Sequence, residues 1–177
     1  AERVIAILKT GKARQRTATA RNTISTIETI RFDQVCFSYD GETQVLTDIS
    51  FFLPKGEAIG IVGRTGSGKS SIINLITGFY TQDTGRIMIN GMDAASINVR
   101  DIRSRTALVM QEPVLFSGTI RDNICPYGSQ ITDQVLEAAL KNAHCGFLFE
   151  KFSGLDTVIK EGGQPLSSGE KQLVCIA

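Results

Sequence analysis

Residues 63–70 read Gly-Arg-Thr-Gly-Ser-Gly-Lys-Ser and satisfy the pattern G-x-x-x-x-G-K-[ST] at every fixed position. This octapeptide constrains the fold because it works in one context only. An apolar strand must lead into it and an amphipathic helix must follow, so that the glycines wrap the backbone N–H groups inward and the helix adds its positive end. Both flanks have the required character. Ala58 to Val62 is a short apolar run of small residues, expected to be a strand buried on both faces. Lys69 to Phe79 is expected to be a helix with Ile72, Ile73, Leu75 and Ile76 turned inward. Such a nest suits a phosphate chain: Lys69 is expected to reach the β and γ phosphates and Ser70 to ligate Mg²⁺. Gly63, Arg64, Thr65, Gly66, Ser67, Gly68 and Ser71 complete the candidate site. The bland alternative, a chance glycine-rich turn, does not account for the flanking strand and helix.

Composition narrows the setting. The net charge of +1 hides an uneven distribution: residues 1–31 carry +5, leaving −4 on residues 32–177. A mildly acidic body is a poor match to a nucleic-acid-binding domain. The basic arm reads as a polyanion-binding segment, a juxtamembrane stretch or a solvated linker. At 177 residues the prior is one compact domain with an appendage. The longest apolar stretches, such as Val4 to Leu8 and Leu173 to Ala177, fall far short of the roughly 20 residues that span a bilayer. Cys36, Cys125, Cys145 and Cys175 form no C-x-x-C pair, and His144 is the only histidine, too few partners for a zinc site. Reduced thiols in a cytosolic compartment are expected.

Along the chain, Val4, Ile7 and Leu8 give residues 2–9 a helical pattern, followed by an aperiodic linker to about Ile27. Strands are expected around Phe32, Val35 and Phe37, over Val45 to Leu53, over Arg86 to Ile89 between two turns, and over Ala107 to Met110, the last one buried. Val99 to Ser104 reads as helix. Thr132 is placed to cap a further helix whose Val135, Leu136, Ala139, Leu140 and Ala143 share one face.

Neither N-K-x-D nor D-x-x-G occurs, which disfavours a guanine-specific switch protein. Three other segments carry chemistry of their own. Tyr39, 24 residues before Gly63, offers a flat face for a base, or else caps the core at a strand end. Gln111 carries a neutral amide able to ligate Mg²⁺ or position water, and reads equally well as a surface residue before a proline turn. Ser167 and Gly169 at a helix start supply a hydroxyl and N–H groups for an anion, or form an ordinary N-cap.

Taken in order, Val35-Cys36-Phe37-Ser38-Tyr39, GRTGSGKS, the run Met110 to Ile124 and Leu166-Ser167-Ser168-Gly169-Glu170-Lys171-Gln172 resemble the nucleotide-binding domain of ATP-binding cassette (ABC) transporters, exporter type. The wording is most similar to the multidrug-resistance-associated (C) subfamily, over about residues 28–177. The resemblance implies an α/β P-loop core with an antiparallel β region and a helical subdomain. It divides the chain into a helix and basic linker from a transmembrane domain (1–29), an ATP-binding core (30–110), a Q-loop and helical subdomain (111–165) and the start of a signature helix (166–177).

The resemblance also implies roles. ATP and Mg²⁺ are the expected ligands, with Tyr39 for adenine, Lys69 and Gln111 catalytic, Ser70 and Gln111 for the metal, and Ser167, Ser168, Gly169 and Glu170 for the nucleotide of a second such domain in a head-to-tail dimer. Transmembrane domains of the same transporter are the other expected partners, at the cytoplasmic face of a membrane. The signature departs from LSGGQ at Ser168 and Glu170, and a carboxylate aimed at a triphosphate is electrostatically unfavourable. His144 precedes the signature and is read as a helix-surface or helix-end residue without a catalytic role.

No stretch reads as four apolar residues followed by Asp-Glu. The resemblance places the Walker B strand and the switch histidine beyond Ala177, so residues 1–177 alone are expected to bind ATP without turning it over. A non-hydrolysing or degenerate regulatory cassette and a soluble ABC ATPase are the alternatives.

Overall fold

The computed structural model describes residues 22–125 and 130–177. The expected helix over 2–9 and most of the basic linker lie outside these residues. The chain divides into two compact units, one ending at Ala107 and the other running from Leu108 to Ala177.

The first unit is built on an antiparallel sheet. Strand β1 (Thr29–Ser38) pairs with β2 (Gln44–Pro54) on one side and β3 (Thr84–Ile89) on the other, and β3 pairs with the short β4 (Met92–Asp93). Strict alternation would carry β1 from Phe32 to Gln34, yet Phe32, Val35 and Phe37 are the buried residues. One extra residue absorbs the difference. Gln34 has φ 48°, and the register steps from Phe32 opposite Phe51 to Val35 opposite Ile49, a β-bulge that returns Val35 to the inner face. The Phe32 and Phe51 rings stack with centroids 4.5 Å apart.

The same bulge dictates Gly85. Its φ is +79°, and a Cβ there would lie 2.2 Å from the Gln34 carbonyl oxygen. The β3–β4 hairpin turns at Asn90 and Gly91, both with positive φ (53° and 75°), as a type I′ turn requires. Asn90 also clamps the incoming chain: its Oδ1 accepts from the Glu28 and Thr29 N–H groups (2.7 and 3.1 Å) and its Nδ2 donates to Thr26 O (2.8 Å).

Helix α1 (Lys69–Ile76) buries Ile72 and Leu75 against the sheet, with Ile73 and Ile76 half-buried. It stops short of the expected Phe79. The Phe79 N–H bonds Asn74 O and the Gly78 N–H bonds Leu75 O, the paired contacts of a Schellman ending. Arg103, on helix α2 (Val99–Arg103), donates to Thr77 O and Gly78 O (3.0 and 3.2 Å) with its guanidinium 4.5 Å from the Phe79 ring centroid, a cation placed at the negative end of α1.

Two expected strands are corrected. Ala58 to Val62 and Ala107 to Met110 form no sheet pairing among the described residues, and apart from the half-buried Ile61 they are exposed instead of buried: Val62 is 93% and Met110 58% accessible. Their apolar sequences suit interior strands, but an interior strand takes its hydrogen bonds from neighbours on both sides. No described strand supplies them.

The second unit packs short helices around Ile120, Leu140, Cys145, Leu148 and Ile159. Strand β5 (Gly118–Thr119) pairs with β6 (Val158–Ile159), and helix α3 (Ile120–Ile124) follows β5 directly. Helix α4 (Asp133–Asn142) starts after Thr132 as expected, but the Thr132 side chain makes no cap bond; Asp133 pairs with Arg121 instead. Leu136, Leu140 and Ala143 form the buried stripe. Val135, expected inside, is 58% exposed because it lies about 100° round the helix from Leu136, at the edge of that stripe. His144 holds the left-handed position (φ 59°) of a second Schellman ending, closed by Cys145 N to Leu140 O at 2.8 Å. It is thus an exposed helix-end residue. Helix α5 (Phe147–Lys151) and helix α6 (Ser168–Ile176) complete the unit. No disulfide links the four cysteines, and no helix among the described residues is long and apolar enough to cross a membrane.

Gly85→Ala is expected to be the costly point substitution of the sheet, since neither the positive φ nor the 2.2 Å approach to backbone can relax cheaply. A loss of about 2–4 kcal/mol in urea unfolding is expected, while the solvent-facing control Glu57→Ala leaves the midpoint within about 0.5 kcal/mol of wild type.

Candidate functional site

The loop before α1 closes on itself through the Ser67 N–H donating to Arg64 O at 3.1 Å, with Gly66 (φ 84°) and Gly68 (φ 87°) in left-handed conformations. Gly68 is also wedged against the sheet: a Cβ there would meet Leu46 Cδ2 at 2.6 Å and Val45 O at 2.9 Å. It serves as the N-cap of α1 and, being glycine, brings no side chain to cap the first-turn N–H groups. Those donors are left to an external acceptor, and the helix end adds its partial positive charge.

The Lys69 ammonium folds back over this loop and donates to Gly63 O (2.9 Å) and Arg64 O (2.7 Å). No carboxylate pairs with it among the described residues. A cation held only by neutral carbonyls can exchange them for phosphate oxygens at small cost, so the cradle fits a polyphosphate. Ser70 is exposed next to Lys69, whereas Ser71 is turned into the core at 3% exposure.

The structure brings Tyr39 onto the same helix. It follows β1, is half-exposed, and its hydroxyl meets Ser71 Oγ at 2.8 Å. Asn74 and Tyr80, which the sequence reading did not single out, join it: Asn74 Nδ2 donates to the Tyr39 hydroxyl at 3.4 Å and the Tyr80 ring lies 5.0 Å away edge-on. The i, i+3 spacing of Ser71 and Asn74 was the available signal, since it puts both on one helix face.

The other candidate residues belong to the second unit. Gln111 is exposed at a bend. Downstream, Asn123 fixes the loop into β5 by accepting from the Phe116 N–H (2.7 Å) and donating to Phe116 O and Thr119 O (both 2.9 Å).

Ser167 is the N-cap of α6 within a capping box. The Ser167 hydroxyl accepts from the Glu170 N–H (3.4 Å), and the Glu170 carboxylate accepts from the Ser167 N–H (2.8 Å). The Ser167 and Glu170 N–H groups are therefore engaged, while Ser168 and Gly169 keep first-turn donors without an intrahelical partner. Hydrogen bonds from the Ser167 N–H and then from its hydroxyl hold the Glu170 carboxyl below its ordinary value.

The loop, its helix and the flanking sheet are those of a P-loop nucleotide-binding domain. The ABC transporter family matches residues 46–177, and the chain belongs to that family. It is 43% identical over 148 residues to exp8 of Streptococcus pneumoniae, named as an ABC transporter ATP-binding protein, covering 84% of this chain and 25% of that protein. It is 39% identical over 149 residues to human ATP-binding cassette sub-family C member 10, covering 84% and 10% respectively. The solved structure of a bacterial Atm1-family ABC exporter with ATP bound superposes with a TM-score of 0.86 at 32% identity, over 99% of this chain and 31% of that one. The chain thus spans a quarter or less of the length of these two curated relatives.

The lowered Glu170 carboxyl value fixes the sign of a pH effect. A carboxyl whose folded value is depressed stabilises the fold fully above its unfolded value, about 4.3, and that stabilisation fades as pH falls through the folded value. Glu170→Gln keeps a side chain that can close the box without titrating. The difference in urea midpoint between wild type and Glu170→Gln is expected to stay constant from pH 7 to about 5 and to move against wild type below about pH 4. A flat difference down to pH 3 would count against the box.

Proposed function

We propose that this chain is the ATP-binding part of an ABC exporter that couples ATP binding and hydrolysis to transport across a membrane. The observation that carries the reading is the glycine-lined loop with Lys69 poised on the Gly63 and Arg64 carbonyls. In this reading Gly63 to Ser71 wrap the phosphates, Lys69 pairs with the β and γ phosphates, and Tyr39 takes adenine on its open face. Ser70 and Gln111 hold Mg²⁺, which when bound supplies charge neutralisation at the phosphate oxygens. Gln111 also positions water. Ser167, Ser168, Gly169 and Glu170 face the nucleotide of a second domain in a head-to-tail dimer, and transmembrane domains anchor the pair at the cytoplasmic face. The likeness to an exporter with ATP bound supports this assignment.

Residues 1–177 contain no run of four apolar residues followed by Asp-Glu, the groups the family uses to orient the attacking water. Purified residues 1–177 are therefore expected to bind ATP with Mg²⁺ yet release no phosphate above background. Lys69→Ala should weaken ATP at least about tenfold, the scale of one lost charge-assisted contact. Isothermal titration and a phosphate-release assay check both points; steady hydrolysis that disappears in Lys69→Ala would contradict the division of labour.

A further inference from the structure

Ser71 is a polar side chain in an apolar setting. It is 3% exposed, it stands on α1 beside the core residues Ile72 and Leu75, and its hydroxyl meets the Tyr39 hydroxyl at 2.8 Å. Leaving a buried hydroxyl without a partner is costly, so this bond resists opening. Asn74, one turn further along α1, reaches the same phenolic oxygen at 3.4 Å. The ring itself is held edge-on by two others, Phe37 at 4.8 Å and 78° and Tyr80 at 5.0 Å and 86°. Four side chains thus fix the position and tilt of Tyr39 while half of its surface stays open. A stacking platform free to rotate would lose much of its stacking energy to ordering at the moment of binding.

From this arrangement we infer that Ser71 and Asn74 are positioning residues for base recognition: through the Tyr39 hydroxyl they lock the aromatic platform to the helix whose first residues, Lys69 and Ser70, form the phosphate site. The inference rests on the reading of Tyr39 as the adenine platform and goes beyond it in assigning a function to the hydroxyl as well as to the ring face. Base and phosphate sites then move as one body, because Ser71 directly follows Ser70 in α1.

The test compares ATP with inorganic tripolyphosphate, which carries the phosphate chain without a base, in equilibrium binding to the full-length protein. Tyr39→Phe keeps the ring and removes the anchored oxygen; Ser71→Ala removes its partner. Each is expected to weaken ATP about three- to tenfold, the range of a single hydrogen bond, and Tyr39→Phe, which alters no residue of the phosphate site, is expected to leave tripolyphosphate affinity unchanged. The double variant should be no weaker than the weaker single, since both delete the same bond. Should Ser71→Ala fail to fold, Tyr39→Phe and Asn74→Ala carry the comparison.

Unchanged ATP affinity in Tyr39→Phe, an equal loss for tripolyphosphate, or a double variant whose loss is the product of the singles would each overturn the inference. Tyr39→Ala separates it from the reading beneath it. If Tyr39→Ala weakens ATP and Tyr39→Phe does not, the platform stands and the anchor falls; if neither does, the adenine assignment falls too.

Discussion

The contact between Gly68 and β2 is the joint on which the phosphate site depends. Gly68 sits where a Cβ would strike Leu46 and the Val45 carbonyl, so the loop is pressed onto the sheet with no side chain between them. That close approach sets where α1 begins. From there α1 is held along its length by Ile72 and Leu75 in the core and at its far end by Arg103 on the last carbonyls. The β1 bulge at Gln34 works in the same direction, since it keeps Val35 and Phe37 on the inner face where α1 packs. A loop that must grip a polyanion without rearranging gains from such preorganisation, because little ordering remains to oppose binding.

Much of this was legible in the sequence for a local reason. The octapeptide at 63–70, the strands around Phe32 and Val45, and the Asn90-Gly91 turn are written in residues that act on their immediate neighbours. Features closed by distant groups were not. Ala58 to Val62 and Ala107 to Met110 carry the composition of interior strands, yet a strand exists only with its pairing neighbours, and composition does not reveal whether those neighbours are at hand. Val135 was misplaced because four of five apolar positions fixed the stripe and the fifth lay at its edge. The helix end at Gly78 was missed because the aromatic Phe79 beyond Ile76 extended the pattern past its backbone stop.

The candidate site divides along the same line. Lys69 and Ser70 follow from the motif alone. The link between Tyr39 and Ser71 spans 32 positions and depends on the fold bringing the end of β1 over α1, so no local pattern announces it. At Ser167 and Glu170 the sequence does contain the capping-box spacing, but the departure from LSGGQ drew the reading to a carboxylate that is unfavourable near a triphosphate if it points inward. The carboxylate turns back onto its own backbone instead.

The two helix starts therefore use one physical device in opposite ways. Helix α1 begins at a glycine with no capping side chain, and its first-turn donors and partial positive charge are open to an external anion. Helix α6 begins at a serine and carries its own anion, because Glu170 occupies the Ser167 N–H and its charge offsets the helix end. A phosphate approaching α6 would meet the donors of Ser168 and Gly169 with a carboxylate alongside, so attraction to the donors and repulsion from the charge act together. Within the proposed head-to-tail dimer, the phosphate loop would then supply most of the grip on nucleotide. In that proposed arrangement the signature helix would hold phosphate more weakly than a start with a neutral amide at position 170.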